Sequence, residues 1–146
     1  MRWNIPRNWL RRVAVAVPAA LCCGAVLADD VTGSDLLLCY ALSAARCEID
    51  GACEHKDPWQ LNLPDFLKLD LKAKKALSTE ASGSMRETLI RTLERGSNGT
   101  ILLQGVQGDR AFSWLINEPS GEGTLTVSAH GAGLTVFTVC TPVDKL

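Results

Sequence analysis

The chain has 146 residues, with 15 Lys and Arg against 16 Asp and Glu, and six cysteines. That length suits one domain preceded by a leader. The balance lacks the basic excess with which nucleic-acid and anionic-lipid binders neutralise phosphate, so neither partner is expected.

The first 28 residues read as a secretory signal peptide. Arg2, Arg7, Arg11 and Arg12 make a positive start, an apolar segment runs from Val13 to Leu27, and Val26-Leu27-Ala28 offers a cleavage site before Asp29. The apolar run is shorter than a membrane span requires. Arg11-Arg12 is followed by Val-Ala-Val, a poor match to the twin-arginine route, and neither Cys22 nor Cys23 follows the small residue that lipoprotein processing needs. The expected destination is the periplasm or the exterior. The mature part, residues 29–146, then loses four arginines and no acid, leaving 11 basic and 16 acidic residues and a net charge of −5. Asp29 to Ser34 reads as a loose mature terminus.

Cys39, Cys47, Cys53 and Cys140 remain after cleavage. In an exported chain four cysteines imply two disulfides, for which three pairings exist. Cys47 to Cys53 folds as a hairpin around a three-residue loop, Ile49-Asp50-Gly51, with Gly51 in the left-handed position. Cys47 then faces Cys53, and Cys39 is left for Cys140 near the other end of the mature chain. No CxxC redox motif is present, and His55 beside Cys53 matches no standard zinc spacing. No metal or cofactor is expected.

Leu36 to Arg46 is rich in Leu and Ala and is equally compatible with helix and strand. Leu67, Leu69 and Leu71 alternate with Lys68, Asp70 and Lys72, which predicts a strand that Pro64 precedes. Lys68, Lys72, Lys74 and Lys75 form a basic cluster that reads as a solvated strand edge and turn. Ala76 to Thr79 returns. Ser84-Met85-Arg86-Glu87 is a capping-box match, and Met85, Leu89, Ile90 and Leu93 fit one helical face, yet Thr88, Ile90 and Thr92 alternate as a strand would.

The second half is plainer. Gly108-Asp109 is a two-residue turn, which pairs Gln107 with Arg110, Gly105 with Phe112, Leu103 with Trp114 and Ile101 with Ile116. Gly105 leaves room for the Phe112 ring to lie over its backbone. Pro119-Ser120-Gly121 bends the chain, Thr124 to Ala129 alternates, His130-Gly131-Ala132-Gly133 turns again, and Leu134 to Thr141 is a β-branched run ending at Cys140.

The runs Asn62-Leu-Pro-Asp-Phe66, Leu69-Asp-Leu-Lys72, Ile101-Leu-Leu-Gln-Gly-Val106, Arg110-Ala-Phe-Ser-Trp-Leu-Ile116 and Val139-Cys-Thr-Pro142, with the spacing of Cys39, Cys47 and Cys53, resemble a group of small exported bacterial proteins of unknown function. The resemblance implies an all-β fold and so a strand at Arg86 to Glu94. It carries no activity and transfers no catalytic role.

The expected fold is therefore mainly β: an antiparallel up-and-down meander of seven or eight strands forming a closed or nearly closed small barrel. A β-sandwich, or an α+β fold with a helix at 84–95, is the alternative. Nucleophile elbows, HExxH, P-loops and dinucleotide glycine motifs are missing. His55 and His130 read as solvated loop residues, and Asp29-Asp30 and Glu118/Glu122 as surface charge. No catalytic residue is assigned. The expected role is non-catalytic binding of a small ligand or an envelope protein, with inhibition of an envelope enzyme as a second reading and hydrolysis a distant third. Trp59, in a polar Pro-flanked loop, and Asp109 with Arg110 at a hairpin tip are the candidate contact residues. The bland reading of Trp59 is that its ring fills the end of the barrel, and of Arg110 that it is a solvated turn charge.

Overall fold

A computed structural model of the protein describes residues 29–80 and 85–143. The leader at 1–28, its cleavage site, and Ser84 of the capping-box match lie outside the described residues. Nine strands follow in order: β1 Leu36–Glu48, β2 Cys53–Lys56, β3 Phe66–Asp70, β4 Lys75–Ser78, β5 Glu87–Gly96, β6 Thr100–Gln107, β7 Arg110–Asn117, β8 Glu122–Ala129 and β9 Ala132–Pro142. A 3₁₀ turn, Pro58–Leu61, joins β2 to β3.

Every pairing is antiparallel, and β9 returns to pair with β1 from Leu37↔Pro142 to Glu48↔Ala132. Eight strands, β1 and β3 to β9, thus close a barrel. β1 is long enough to use one edge twice: Leu36–Tyr40 pairs with β3, and Ala44–Cys47 pairs with β2. β2 is therefore a ninth strand that extends the wall beyond the start of β3. The β6–β7 hairpin has the register derived above, from Gln107↔Arg110 through Gly105↔Phe112 to Ile101↔Ile116. Gly108 takes φ +62°, the left-handed conformation that its turn needs.

Of the two segments of ambiguous period, 36–46 is strand throughout and 84–95 is strand from Glu87 onward. The reason lies in two bulges. The register of β1 against β9 shifts between Ala41 and Ser43, and that of β5 against β6 shifts between Ile90 and Thr92. Each shift moves the inward parity by one residue. Ala41 and Ala44 both point inward, as do Ile90 and Leu93, so the buried residues recur three apart as on a helix.

An eight-stranded barrel is just wide enough for side chains to fill it. Leu37, Leu69, Leu71, Ile101, Leu103, Trp114 and Ile116 do so, each at most 2% exposed. The outer wall carries most of the polar alternates, with Tyr40, Leu42, Leu115 and Phe137 among its apolar exceptions. At the end where β1 begins, the chain before it acts as a plug. Val31 is fully buried and its N–H donates to the Glu118 carbonyl at 2.8 Å. The expectation of a loose terminus at 29–34 is thus wrong, because Val31 supplies the apolar cover that this end needs. Glu118 also departs from its expected surface role: it is 6% exposed, and its carboxylate accepts from the Arg95 guanidinium, which also reaches Asp35 and the Ser34 carbonyl.

The basic cluster needs a smaller correction. Lys68 points outward from β3, but β3 has a neighbour on both sides, so it guards no free edge. Lys72 and Lys74 lie in the β3–β4 turn, and Lys75 Nζ pairs with Glu87 Oε1 at 2.8 Å.

A Cβ on Gly105 would stand 2.5 Å from Phe112 Cε1 and 2.7 Å from the Leu89 carbonyl oxygen. The ring could swing away, but the backbone carbonyl cannot move without disturbing β5. Gly105→Ala is expected to lower stability by about 2 kcal/mol, as overpacking in a filled core does. Urea unfolding of the single variant and of Gly105→Ala/Phe112→Ala tests this. If the carbonyl contact matters, removing the ring leaves part of the loss in place.

Candidate functional site

The strand order sorts every loop to one end of the barrel or the other. The end where β1 begins holds the plug, the β3–β4 turn and the turns after β5 and β7. The opposite end holds the Cys47–Cys53 hairpin, the 3₁₀ turn, Gly108-Asp109 and His130-Gly131. All three candidate contact residues, Trp59, Asp109 and Arg110, therefore share this second end. They sit on separate elements, Trp59 in the 3₁₀ turn and the other two at the β6–β7 tip.

Trp59 is 64% exposed and does not fill the barrel end. Pro58 is buried, and Leu61 and Leu63 pack against the core in its place. The turn is tightened by Asp57 and Gln60: the Asp57 N–H donates to Gln60 Oε1 at 3.1 Å and the Gln60 N–H to the Asp57 carbonyl at 3.0 Å. Asn62 closes it with φ +54°. A short, doubly bonded turn anchored by three apolar residues thus holds the indole outward.

Asp109 and Arg110 stand at the β6–β7 tip with side chains 73% and 62% exposed and a 4.0 Å contact between them. A pair so exposed contributes little to stability. Arg110 is a solvated turn charge in the free protein.

The most exposed apolar side chain at this end is one the sequence reading passed over. Ile49, at the tip of the Cys47–Cys53 hairpin, is 90% exposed. The hairpin is stiff. Cys47 pairs with Cys53 in register and is bonded to it. The Glu48 N–H donates to the Ala52 carbonyl at 2.8 Å, the Gly51 N–H to the Glu48 carbonyl at 2.9 Å and the Ala52 N–H to Asp50 Oδ1 at 2.9 Å. Gly51 takes φ +87°. On its flanks Arg46 pairs with Glu48 at 2.6 Å and Lys56 with Glu54 at 2.7 Å. From Arg46 to Asp57 there are two basic and four acidic residues, a local net charge of −2 with histidine neutral. A signal for Ile49 was present in the sequence: a β-branched apolar residue inside a three-residue loop, where no core can reach it.

His55 lies on β2 rather than in a loop, and His130 in the β8–β9 turn; both are exposed. Among the described residues no group of three His, Cys, Asp or Glu side chains is placed to hold a metal ion. Nor is any helix among them long and apolar enough to cross a membrane.

A second feature lies on the barrel wall. A shallow groove of about 460 Å³ runs over the outside of β7, β8, β9 and β1, between Leu42, Leu115 and Phe137. It opens to solvent, and Gly123 and Thr138 lie among the residues that line it.

No family model, curated protein or solved structure matches this chain.

Proposed function

We propose that the chain is a non-catalytic binding module of the periplasm or exterior, which holds an envelope protein with the hairpin end of its barrel. The observation that carries this reading is the disulfide-braced hairpin with Ile49 bare at its tip. Exposing a β-branched apolar side chain on a stiff support brings the folded monomer no stability. It does give a partner a pre-ordered anchor, so little conformational entropy is lost on binding. Trp59 and Arg110 at the same end are of the residue types that dominate interface energetics.

Export is supported by the leader-like start and by two disulfides, which persist in oxidising compartments. An outer binding surface is favoured over an internal ligand site because Trp114 and the leucines occupy the barrel. Inhibition of an envelope enzyme is the second reading. A narrow projecting tip with an acidic surround suits a cleft with an apolar floor and a basic rim, and a tip seated there would exclude substrate.

Protein exported by its own leader, immobilised and exposed to native envelope extract, is expected to retain one component in stoichiometric amount. Ile49→Asp is expected to cut that recovery by about 30-fold or more, the loss typical of a central anchor. Equal recovery with wild type, Ile49→Asp and Trp59→Ala would remove the hairpin end from the account.

A further inference from the structure

We infer that the uncharged outer wall formed by β7, β8, β9 and β1 is the surface through which two copies of this chain pair. The inference stands apart from the hairpin end and uses a different part of the barrel.

The outer surface is segregated by charge. On β3, β4 and β5 the outward positions include Lys68, Lys75, Glu87, Arg91 and Glu94. On β7, β8, β9 and β1 they are Ser, Thr, Ala and apolar residues with Asn117, and Glu122 at the margin alone is charged. Across the same wall runs a band of large apolar side chains that solvent still reaches: Tyr40 at 42%, Leu42 at 46%, Phe137 at 47% and Leu115 at 51%. Phe66 continues it from β3, with its ring centroid 5.1 Å from that of Tyr40. Scattered apolar residues need no explanation, but a continuous band does.

The band is contoured. The bulge in β1 between Ala41 and Ser43 leaves the outward Leu42 without a register partner on β9, and Leu42, Phe137 and Leu115 border the groove described above. Knob and groove thus lie side by side on one patch. A two-fold axis across the patch sets the knob of each copy against the groove of the other, as isologous interfaces require.

The charge pattern favours a second copy over anionic lipid as the occupant. A mature chain of net charge −5 repels both anionic lipid and its own kind at most orientations. Two such chains meet through this wall without opposing like charges, because Glu122 at its margin is its one charged outward residue. Its size is sufficient for weak pairing. Four strands spaced about 4.8 Å apart and about eight residues long present roughly 500 Å² in projection, near the lower bound for a specific interface.

The test is sedimentation equilibrium on protein exported by its own leader, over about 1 to 300 µM, because the dimer fraction follows mass action. A monomer–dimer equilibrium is expected. Phe137→Glu and Leu115→Glu, both outward and therefore tolerated by the fold, are each expected to weaken it by about 30-fold or more. Leu89→Glu, 47% exposed on the charged wall, is expected to leave it unchanged. Far-ultraviolet dichroism of each variant checks folding. A protein that stays monomeric throughout, or a dimer indifferent to Phe137→Glu and Leu115→Glu, would overturn the inference. So would flotation of a monomer with vesicles of phosphatidylethanolamine and phosphatidylglycerol, which would make the band a lipid contact. Loss of dimerisation leaves envelope-protein capture through Ile49 untouched, so the two readings fail separately.

Discussion

Replacing both Cys39 and Cys140 by alanine is expected to lower stability by about 4–5 kcal/mol, while the same change at Cys47 and Cys53 costs about 2 kcal/mol. The difference follows from chain separation. The first bond joins residues 101 apart and the second residues six apart, so the first removes far more freedom from the unfolded chain. The location adds to it. Cys39 and Cys140 are 1% and 2% exposed, opposite one another at the seam where β1 meets β9. Removing two buried sulfurs there also loosens packing at the seam. Cys53 and the hairpin tip are exposed, and few core contacts depend on them. Urea unfolding followed by far-ultraviolet dichroism measures both losses. Equal losses, or a larger loss for the hairpin pair, would mean that the seam is held mainly by its backbone ladder.

Trp114→Ala is expected to cost about 3–5 kcal/mol, the range for deleting a large aromatic from a packed core. Trp114 is 2% exposed and is among the largest of the fully buried side chains. Its Nε1–H donates to Thr138 Oγ1 at 3.2 Å, and Thr138 is itself 3% exposed. The two groups satisfy each other inside an apolar barrel, where an unpaired donor is costly. Gly123 makes the arrangement fit: a Cβ there would lie 2.7 Å from Thr138 Oγ1 and 2.9 Å from Trp114 Nε1. Thr138→Val keeps the shape and strands the indole N–H, so a loss of about 1–2 kcal/mol is expected from that change alone. Near-ultraviolet dichroism and urea unfolding of the two variants separate the packing contribution from the hydrogen bond.

Much of this architecture is legible in the residues, and the exceptions share a cause. The β6–β7 register follows from Gly108-Asp109, because a two-residue turn leaves no freedom of pairing. The cysteine pairing follows from the small loop at Ile49-Asp50-Gly51. The mainly β class and the closed meander follow from alternation in the second half. What alternation could not decide were 36–46 and 84–95. There each bulge imposes a three-residue recurrence on the buried positions, which a periodicity argument cannot tell from a helix. Val31 and Glu118 were misread because their roles are tertiary. Nothing local says that Val31 will plug a barrel end or that Arg95 will find Glu118 across the turn.

The proposed binding end is legible in part. Trp59, Asp109 and Arg110 do lie at one end of the barrel, but only the strand order reveals it. Ile49 escapes a reading of the sequence that takes Ile49-Asp50-Gly51 only as loop geometry. The apolar band is invisible in sequence because its residues are spread over β1, β7 and β9. Tyr40, Leu42, Leu115 and Phe137 are isolated outward residues in sequence and become neighbours only when β9 returns to β1.

Closure at that seam is the claim on which the filled interior, the proposed binding end and the neutral wall all depend. Native-state amide hydrogen exchange tests it most directly. The paired amides of β1 and β9, from Leu37 to Arg46 and from Leu134 to Thr141, are expected to be protected as strongly as those of β6 and β7. Exchange at β1 and β9 as fast as in the turns, with β6 and β7 still protected, would show an open sheet with free edges and would contradict the barrel.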